Sequence, residues 1–259
     1  MAPSRILGGQ QAREDVQDVA SKFTAYHITL PSRPDLQRQT ESELRVAELQ
    51  AEAFVALDDF EVNAKRVVAV GNEEDASEDG RFSPEQVAIL GPLAAMGARG
   101  NAAAHVELWS RCASGNKPFL IIEDGIKTWP RLGHVTAHLI ATIERVVPED
   151  ERTVLLYLGG DVEPNDWQSQ WLPTDMAHPP PIGKKIVLGE LSAISGSFCY
   201  VVWPLAAKRL LGNLPIPMPI DKVIATHLKA QRVRALAVRP NALAVPVRDT
   251  YTAAAVSIM

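Results

Sequence analysis

The sequence predicts an α/β protein with a mainly parallel central sheet. Three observations carry this. An apolar, β-branched run, Tyr26–Leu30 (YHITL), is followed by a helix-periodic stretch and then by a second apolar run, Arg66–Val70 (RVVAV). Strand, helix, strand is a βαβ unit, whose strands lie parallel. Two later runs, Phe119–Ile122 and Thr153–Leu158, are apolar almost throughout, as strands buried on both faces must be. The chain, 259 residues long, is large enough for one domain with a substantial core.

The elements follow in order. Residues 1–22 are polar and read as a loose arm, leaving 23–259 as a single domain. The arm lacks the apolar core of a signal peptide, and no apolar run reaches the roughly 18–20 residues of a membrane helix. The expectation is a soluble, cytoplasmic or otherwise intracellular protein with at most peripheral membrane contact. After the first strand, Pro31 and Pro34 break the chain and Asp35 is placed to cap a helix over about Leu36–Leu57, whose apolar positions Leu44, Ala47, Ala51, Phe54 and Val55 keep helical spacing. Gly71–Pro84 is acidic and turn-rich, an exposed loop whose spacing does not fit a calcium loop. A helix is expected over Leu132–Val146; His134 and His138 on it have metal-ligand spacing but no third ligand, and packing or surface roles suit them better. Pro173–Gly183 cannot form a helix or a central strand and reads as a long loop. Ser195-Gly196-Ser197 opens a strand, Phe198–Trp203, and Pro204 begins a helix. Cys112 and Cys199 are the two cysteines; buried thiols suit their apolar flanks better than a disulfide. A net charge of -5 with no Lys/Arg stripe gives no footprint for nucleic acid.

The chemistry concentrates between Gly97 and Gly125. A glycine-bearing lead-in precedes a helix with His105 and Trp109, and the strand Phe119–Ile122 then delivers Glu123 and Asp124 at its carboxyl end. Ligands of open α/β sheets bind just beyond such ends. Paired carboxylates there suit a divalent cation and a phosphorylated ligand. No GxxxxGK[ST] or GxGxxG loop is present, which weighs against a nucleotidyltransferase or dinucleotide enzyme.

This stretch resembles glycosyltransferase family 25, the group of lipooligosaccharide and collagen galactosyltransferases. That family's pattern is Gly-x-x-Gly-Cys, Ser-His, a Trp four residues on, and an apolar strand ending Glu-Asp-Asp. Gly97, Gly100, His105, Trp109, Glu123 and Asp124 match it, while Asn101 replaces Cys, Ala104 replaces Ser and Gly125 replaces the last Asp. Leu30, Arg33 and Asp35 match the family's nucleotide-proximal opening, with Thr29 for Asn and Arg38 standing in for a second Arg. Gly159, Gly196 with Tyr200, Asp221 after Pro219, and the closing Ser257-Ile258 extend the likeness over about 26–258.

The resemblance implies a GT-A-like, Rossmann-type fold and inverting transfer of a galactose- or glucose-type hexose from a UDP-sugar to a glycan, lipid-linked or protein acceptor. It implies donor contacts from Leu30, Arg33, Arg38, His105, Glu123 and Asp124. Mn²⁺ or Mg²⁺ would sit on Asp124 and Glu123, its shell thinned by Gly125, with Asp161 or Asp221 available to complete it; the alternative is a metal-independent enzyme in which Arg or Lys offsets the leaving charge. Asp221 and Asp124 are the catalytic candidates, Asp221 as general base or sugar-hydroxyl clamp. Each has a plain structural alternative: Asp221 as a helix cap, His105 as a helix–strand bridge, Arg33 as a solvated side chain, Trp109 as core. The competing function is a non-catalytic module that retains the fold.

Overall fold

The computed structural model describes residues 21–56, 98–162, 166–177, 185–212, 219–239 and 243–246. The expected strand at 66–70, the acidic loop at 71–84, Gly97, the 1–20 portion of the arm and Ser257-Ile258 lie outside these residues.

β1 (Thr24–Thr29) leads through Pro31 and Pro34 into helix α1 (Pro34–Val46). Proline at the first helical position forfeits no hydrogen bond. The helix stops eleven residues short of the expected Leu57, and the stop is a Schellman turn. Glu48 takes the left-handed conformation (φ 52), its N–H reaches Arg45 O at 3.2 Å, and Leu49 N–H reaches Leu44 O at 3.0 Å. Leu44 and Leu49 pack together in the core beneath it. The next four residues form β2 (Glu52–Val55), parallel to β1 with Tyr26 opposite Glu52 and Thr29 opposite Val55. The βαβ unit therefore exists, with its second strand at 52–55.

Helix α2 (Ala98–Ser114) precedes β3 (Phe119–Glu123), the short β4 (Ile126–Thr128), helix α3 (Leu132–Val146), β5 (Val154–Asp161), β6 (Trp167–Ala177), β7 (Lys185–Leu191) and β8 (Ser195–Val202). Helices α4 (Pro204–Leu211) and α5 (Ile220–Lys229), then β9 (Arg234–Arg239) and β10 (Ala244–Pro246), complete the described chain. Eight strands form one sheet in the order β2-β1-β3-β8-β5-β9-β7-β6, and β10 pairs with β4.

The sheet is mixed, with mostly parallel central strands: β8 and β7 are the two that run against the others. β1–β2, β1–β3 and β5–β9 are parallel, while β8 runs antiparallel to both β3 and β5, and β7 antiparallel to β9 and β6. A continuous apolar run reports burial on both faces and is silent on strand direction, so β8 could not be told from its neighbours. The architecture is compatible with a Rossmann-like arrangement. Pro173, expected in a loop, lies in β6, the edge strand, where a missing N–H costs no ladder bond.

Helices α2, α4 and α5 cover one face of the sheet and α1 and α3 the other, each over its own apolar cluster. Period-two alternation sorts β3 between them: Phe119 and Ile121 face α2, whereas Leu120 and Ile122 face α1 and α3. Cys112 and Cys199 fall in opposite clusters, and both are buried free thiols; burial pushes Cys112 up to about 12. Among the described residues no helix is long and apolar enough to cross a membrane.

His227 on α5 is fully buried, with no hydrogen-bond partner for either ring nitrogen among the described residues. Burial, and then the nearby Arg232, lowers its pKa below 6.5. The unfolded chain takes up this proton as pH falls through 6.5 and the folded chain does not, so stability is lost below that pH until the folded value is reached. His227→Leu should narrow the difference in Tm between pH 7.5 and pH 5.5. An unchanged difference in thermal melts removes His227 as its source.

Candidate functional site

The described strands reverse their order between β1 and β3: the chain steps from β1 outward to β2, then returns to the other side of β1 for β3. Such a switch point leaves a crevice beyond the carboxyl ends of the strands. Leu30, Arg33, Glu123 and Asp124 all lie there.

The two adjacent acids do not act as a pair. Alternation sends Glu123 toward α2 and Asp124 toward the opposite face. On the α2 face, Glu123 Oε1 accepts hydrogen bonds from Asn101 Nδ2 (3.2 Å), His105 Nε2 (3.0 Å) and Ser197 Oγ (3.0 Å). Burial pushes the carboxyl up, but the His105 ring, Asn101 and Ser197 together outweigh it and hold it below its ordinary value. Its side chain is 13 % exposed, and its second oxygen meets no donor among the described residues.

A chain of hydrogen bonds stands behind Glu123. Trp109 Nε1 donates to the Tyr200 hydroxyl at 2.8 Å, and that hydroxyl lies 2.8 Å from His105 Nδ1. Trp109 can only donate, so the Tyr200 proton goes to His105 Nδ1 and the histidine carries its own proton on Nε2, toward Glu123. The His105 and Tyr200 rings are stacked, with centroids 5.7 Å apart. Asn101, where the pattern has Cys, thus belongs to the hydrogen-bond set around Glu123.

Asp124 is held on the other face. His27 Nε2 bonds its Oδ1, and the Leu30 N–H donates to Oδ2 at 3.2 Å. Gly125 follows in the left-handed region (φ 75) and gives its N–H to Thr40 Oγ1 at 3.0 Å. Glycine takes this conformation without steric cost and aspartate is among the residues that tolerate it, so the backbone fits either residue at this position. Gly196 is likewise left-handed (φ 74), and a Cβ there would come within 2.4 Å of Phe198 Cε1.

Arg33 ends the β1 loop. It pairs with Asp35 at 3.1 and 3.0 Å, and is 41 % exposed. The Asp35 bond raises its pKa most, and Asp124 adds to this, which places Arg33 within the field of Asp124. Arg38 Nε donates to the Pro34 carbonyl on its own helix and is exposed. Asp221 is in the first turn of α5, whose cap position is Pro219; its Oδ1 accepts the Lys222 N–H at 2.9 Å, and its side chain is 25 % exposed. Burial raises the pKa of the Tyr157 phenol far above its ordinary value, and the charges of Asp221 and then Glu123 add to this. Asp161 lies opposite Ser195 at the end of β5. His134 sits 3.4 Å from Glu48, with Arg131 close by.

Among the described residues no group of three or more His, Cys, Asp or Glu side chains is placed to hold a metal ion. Glu123 and Asp124 diverge, and each oxygen of Asp124 already carries a donor, so these residues do not fit a shared divalent-cation site. The sequence reading missed His27, Ser197 and Tyr157. Only His27 left a signal, as a lone histidine at an inward position of an apolar strand. A cavity of about 570 Å³ bordered by Glu144, Arg152, Trp203 and Lys208 lies at the other end of the central strands, before β3 and β5 and after β8. A comparison of the chain with protein-family models and with curated proteins found no match in either.

Proposed function

We propose that the chain is a hexosyltransferase of GT-A-like architecture, moving a galactose- or glucose-type sugar from a UDP-sugar to a hydroxyl of a glycan, lipid-linked or protein acceptor, with inversion. One observation supports this reading above the rest. Four of the residues that carry the resemblance, His105, Trp109, Glu123 and Tyr200, are joined by hydrogen bonds into a single unit that ends at Glu123. Scattered chance matches would have no reason to converge.

In this reading the acceptor oxygen attacks the anomeric carbon, the bond from that carbon to the diphosphate oxygen breaks, and UDP leaves with the bonding pair. The acceptor proton passes to a carboxylate, and Asp221, part exposed at a helix start, is the base. Arg33 swings from Asp35 to offset the charge of the leaving diphosphate. Glu123, kept ionised, accepts from sugar hydroxyls through its second oxygen. No step is routed through Mn²⁺ or Mg²⁺, because the described carboxylates do not converge on one centre.

A second reading, a non-catalytic binding module, is favoured by the bonds that occupy both oxygens of Asp124. Calorimetry with UDP, UDP-galactose and UDP-glucose, with and without Mn²⁺, tests the proposal. Binding of a UDP-hexose accompanied by slow donor hydrolysis is the expected result. Binding without turnover moves the assignment to the module, and no binding under any condition overturns the donor.

A further inference from the structure

The hydrogen bonds behind Glu123 have a direction. Trp109 Nε1 donates to the Tyr200 hydroxyl at 2.8 Å, the hydroxyl donates to His105 Nδ1 at 2.8 Å, and His105 Nε2 donates to Glu123 Oε1 at 3.0 Å. Every proton in the chain points toward the carboxylate. Trp109, His105 and Tyr200 are fully buried, so solvent reaches none of the three. The chain ends at a side chain that solvent does reach, 13 % exposed.

Tyr200 is the fixed point. It lies on β8 opposite Ile121 of β3 and Tyr157 of β5, and its ring stacks with His105 at 5.7 Å and with Tyr157 at 5.6 Å. A second proton on His105 Nδ1 would leave the Tyr200 proton with no acceptor in the chain, since the indole can only donate. The hydroxyl thus holds the imidazole as a neutral donor, and no histidine cation offsets the charge of Glu123. The donors from Asn101, His105 and Ser197 all reach Oε1, which leaves Oε2 to a ligand. We infer that Tyr200 is a positioning residue for sugar recognition: through a neutral His105 it holds the Glu123 carboxylate that accepts from a hexose hydroxyl at Oε2. The inference rests on the hexosyltransferase reading and adds to it the residue that prepares Glu123.

Nitrogen NMR of the imidazoles at neutral pH, and calorimetry with UDP, UDP-galactose and UDP-glucose, test this in the full chain. In the parent His105 should carry a proton on Nε2 alone; a proton on Nδ1 overturns the inference. Tyr200→Phe keeps the ring and removes the hydroxyl. Its affinity for UDP should stay parental, and its affinity for the preferred UDP-hexose should fall about tenfold, the worth of one hydrogen bond. In a Glu123→Gln background the same substitution should cost no further affinity, because the group it prepares is already gone. His105→Gln, which breaks the chain at its middle, should reproduce the loss, and parental affinity there overturns the inference whether or not Tyr200→Phe folds. Parental UDP-hexose affinity in Tyr200→Phe, or an equal loss in both backgrounds, overturns the role of Tyr200 and leaves the transferase reading standing. If the parent itself binds neither UDP nor UDP-hexose, both readings fall together.

Discussion

Glu123→Ala is expected to cost the fold about 3–4 kcal/mol, a large part of the roughly 5–15 kcal/mol that holds a domain together. The deletion strands three donors at once: Asn101 Nδ2, His105 Nε2 and Ser197 Oγ. Each buried group left unpaired costs about 1–3 kcal/mol, reduced here because water reaches a side chain that is 13 % exposed. Three elements, α2, β3 and β8, meet at this carboxylate, so the loss is felt by the whole sheet. Glu123→Gln keeps one acceptor oxygen and the shape, and should cost about 1–2 kcal/mol, the difference between a charged and a neutral acceptor. Urea denaturation of the three proteins should rank them parent, Gln, Ala. Equal midpoints for Ala and parent would show that the donors find water instead.

The same carboxylate gives the fold an acid limit. Its folded pKa lies below its ordinary value of 4.5, so its stabilisation is complete above that pH and is lost as pH falls toward the folded value. Glu123→Gln should accordingly shift least relative to the parent at the acid end, where the parent has already protonated.

Two helices were legible from their sequence, one by its apolar stripe and one by its opening proline. Leu132–Val146 and Pro204–Leu211 are α3 and α4 as read. The end of α1 was not legible, because the left-handed residue that closes it is Glu48 where glycine is usual, and the apolar spacing ran on through Ala51 and Val55. β2 is four residues long, too short for a period to declare itself. The site divides the same way. His105, Glu123 and Asp124 announce themselves by standing at the end of an apolar strand or on the helix before it. Ser197, Tyr157 and Tyr200 come together with Glu123 only because β8 inserts antiparallel between β3 and β5, and no local pattern encodes that order. Nor does adjacency in sequence reveal that Glu123 and Asp124 part to opposite faces; that follows only once β3 is known to continue through Glu123.

Asp124→Asn is the substitution that separates charge from scaffold. The carboxylate ties β1 to the end of β3 through His27 and the Leu30 N–H. An asparagine of the same shape keeps the bond from Leu30 to its carbonyl oxygen and offers its amide to His27 Nε2, which accepts when the ring proton is on Nδ1. The fold should therefore hold, with a Tm within a few degrees of the parent. What is lost is a negative charge that, after the bonded Asp35, adds to the electrostatic hold on the Arg33 guanidinium. If that charge aims Arg33 and orders the donor, turnover of the UDP-hexose should fall about 10²–10³-fold, as for loss of one preorganised electrostatic contact. Asp124→Ala should lose as much turnover and also about 2–4 kcal/mol of stability, since His27 and the Leu30 N–H are then left unpaired in a buried place. Parental turnover in Asp124→Asn, with the loss confined to Asp124→Ala, would make Asp124 a pin for the β1 loop and leave the chemistry to Glu123, Arg33 and Asp221.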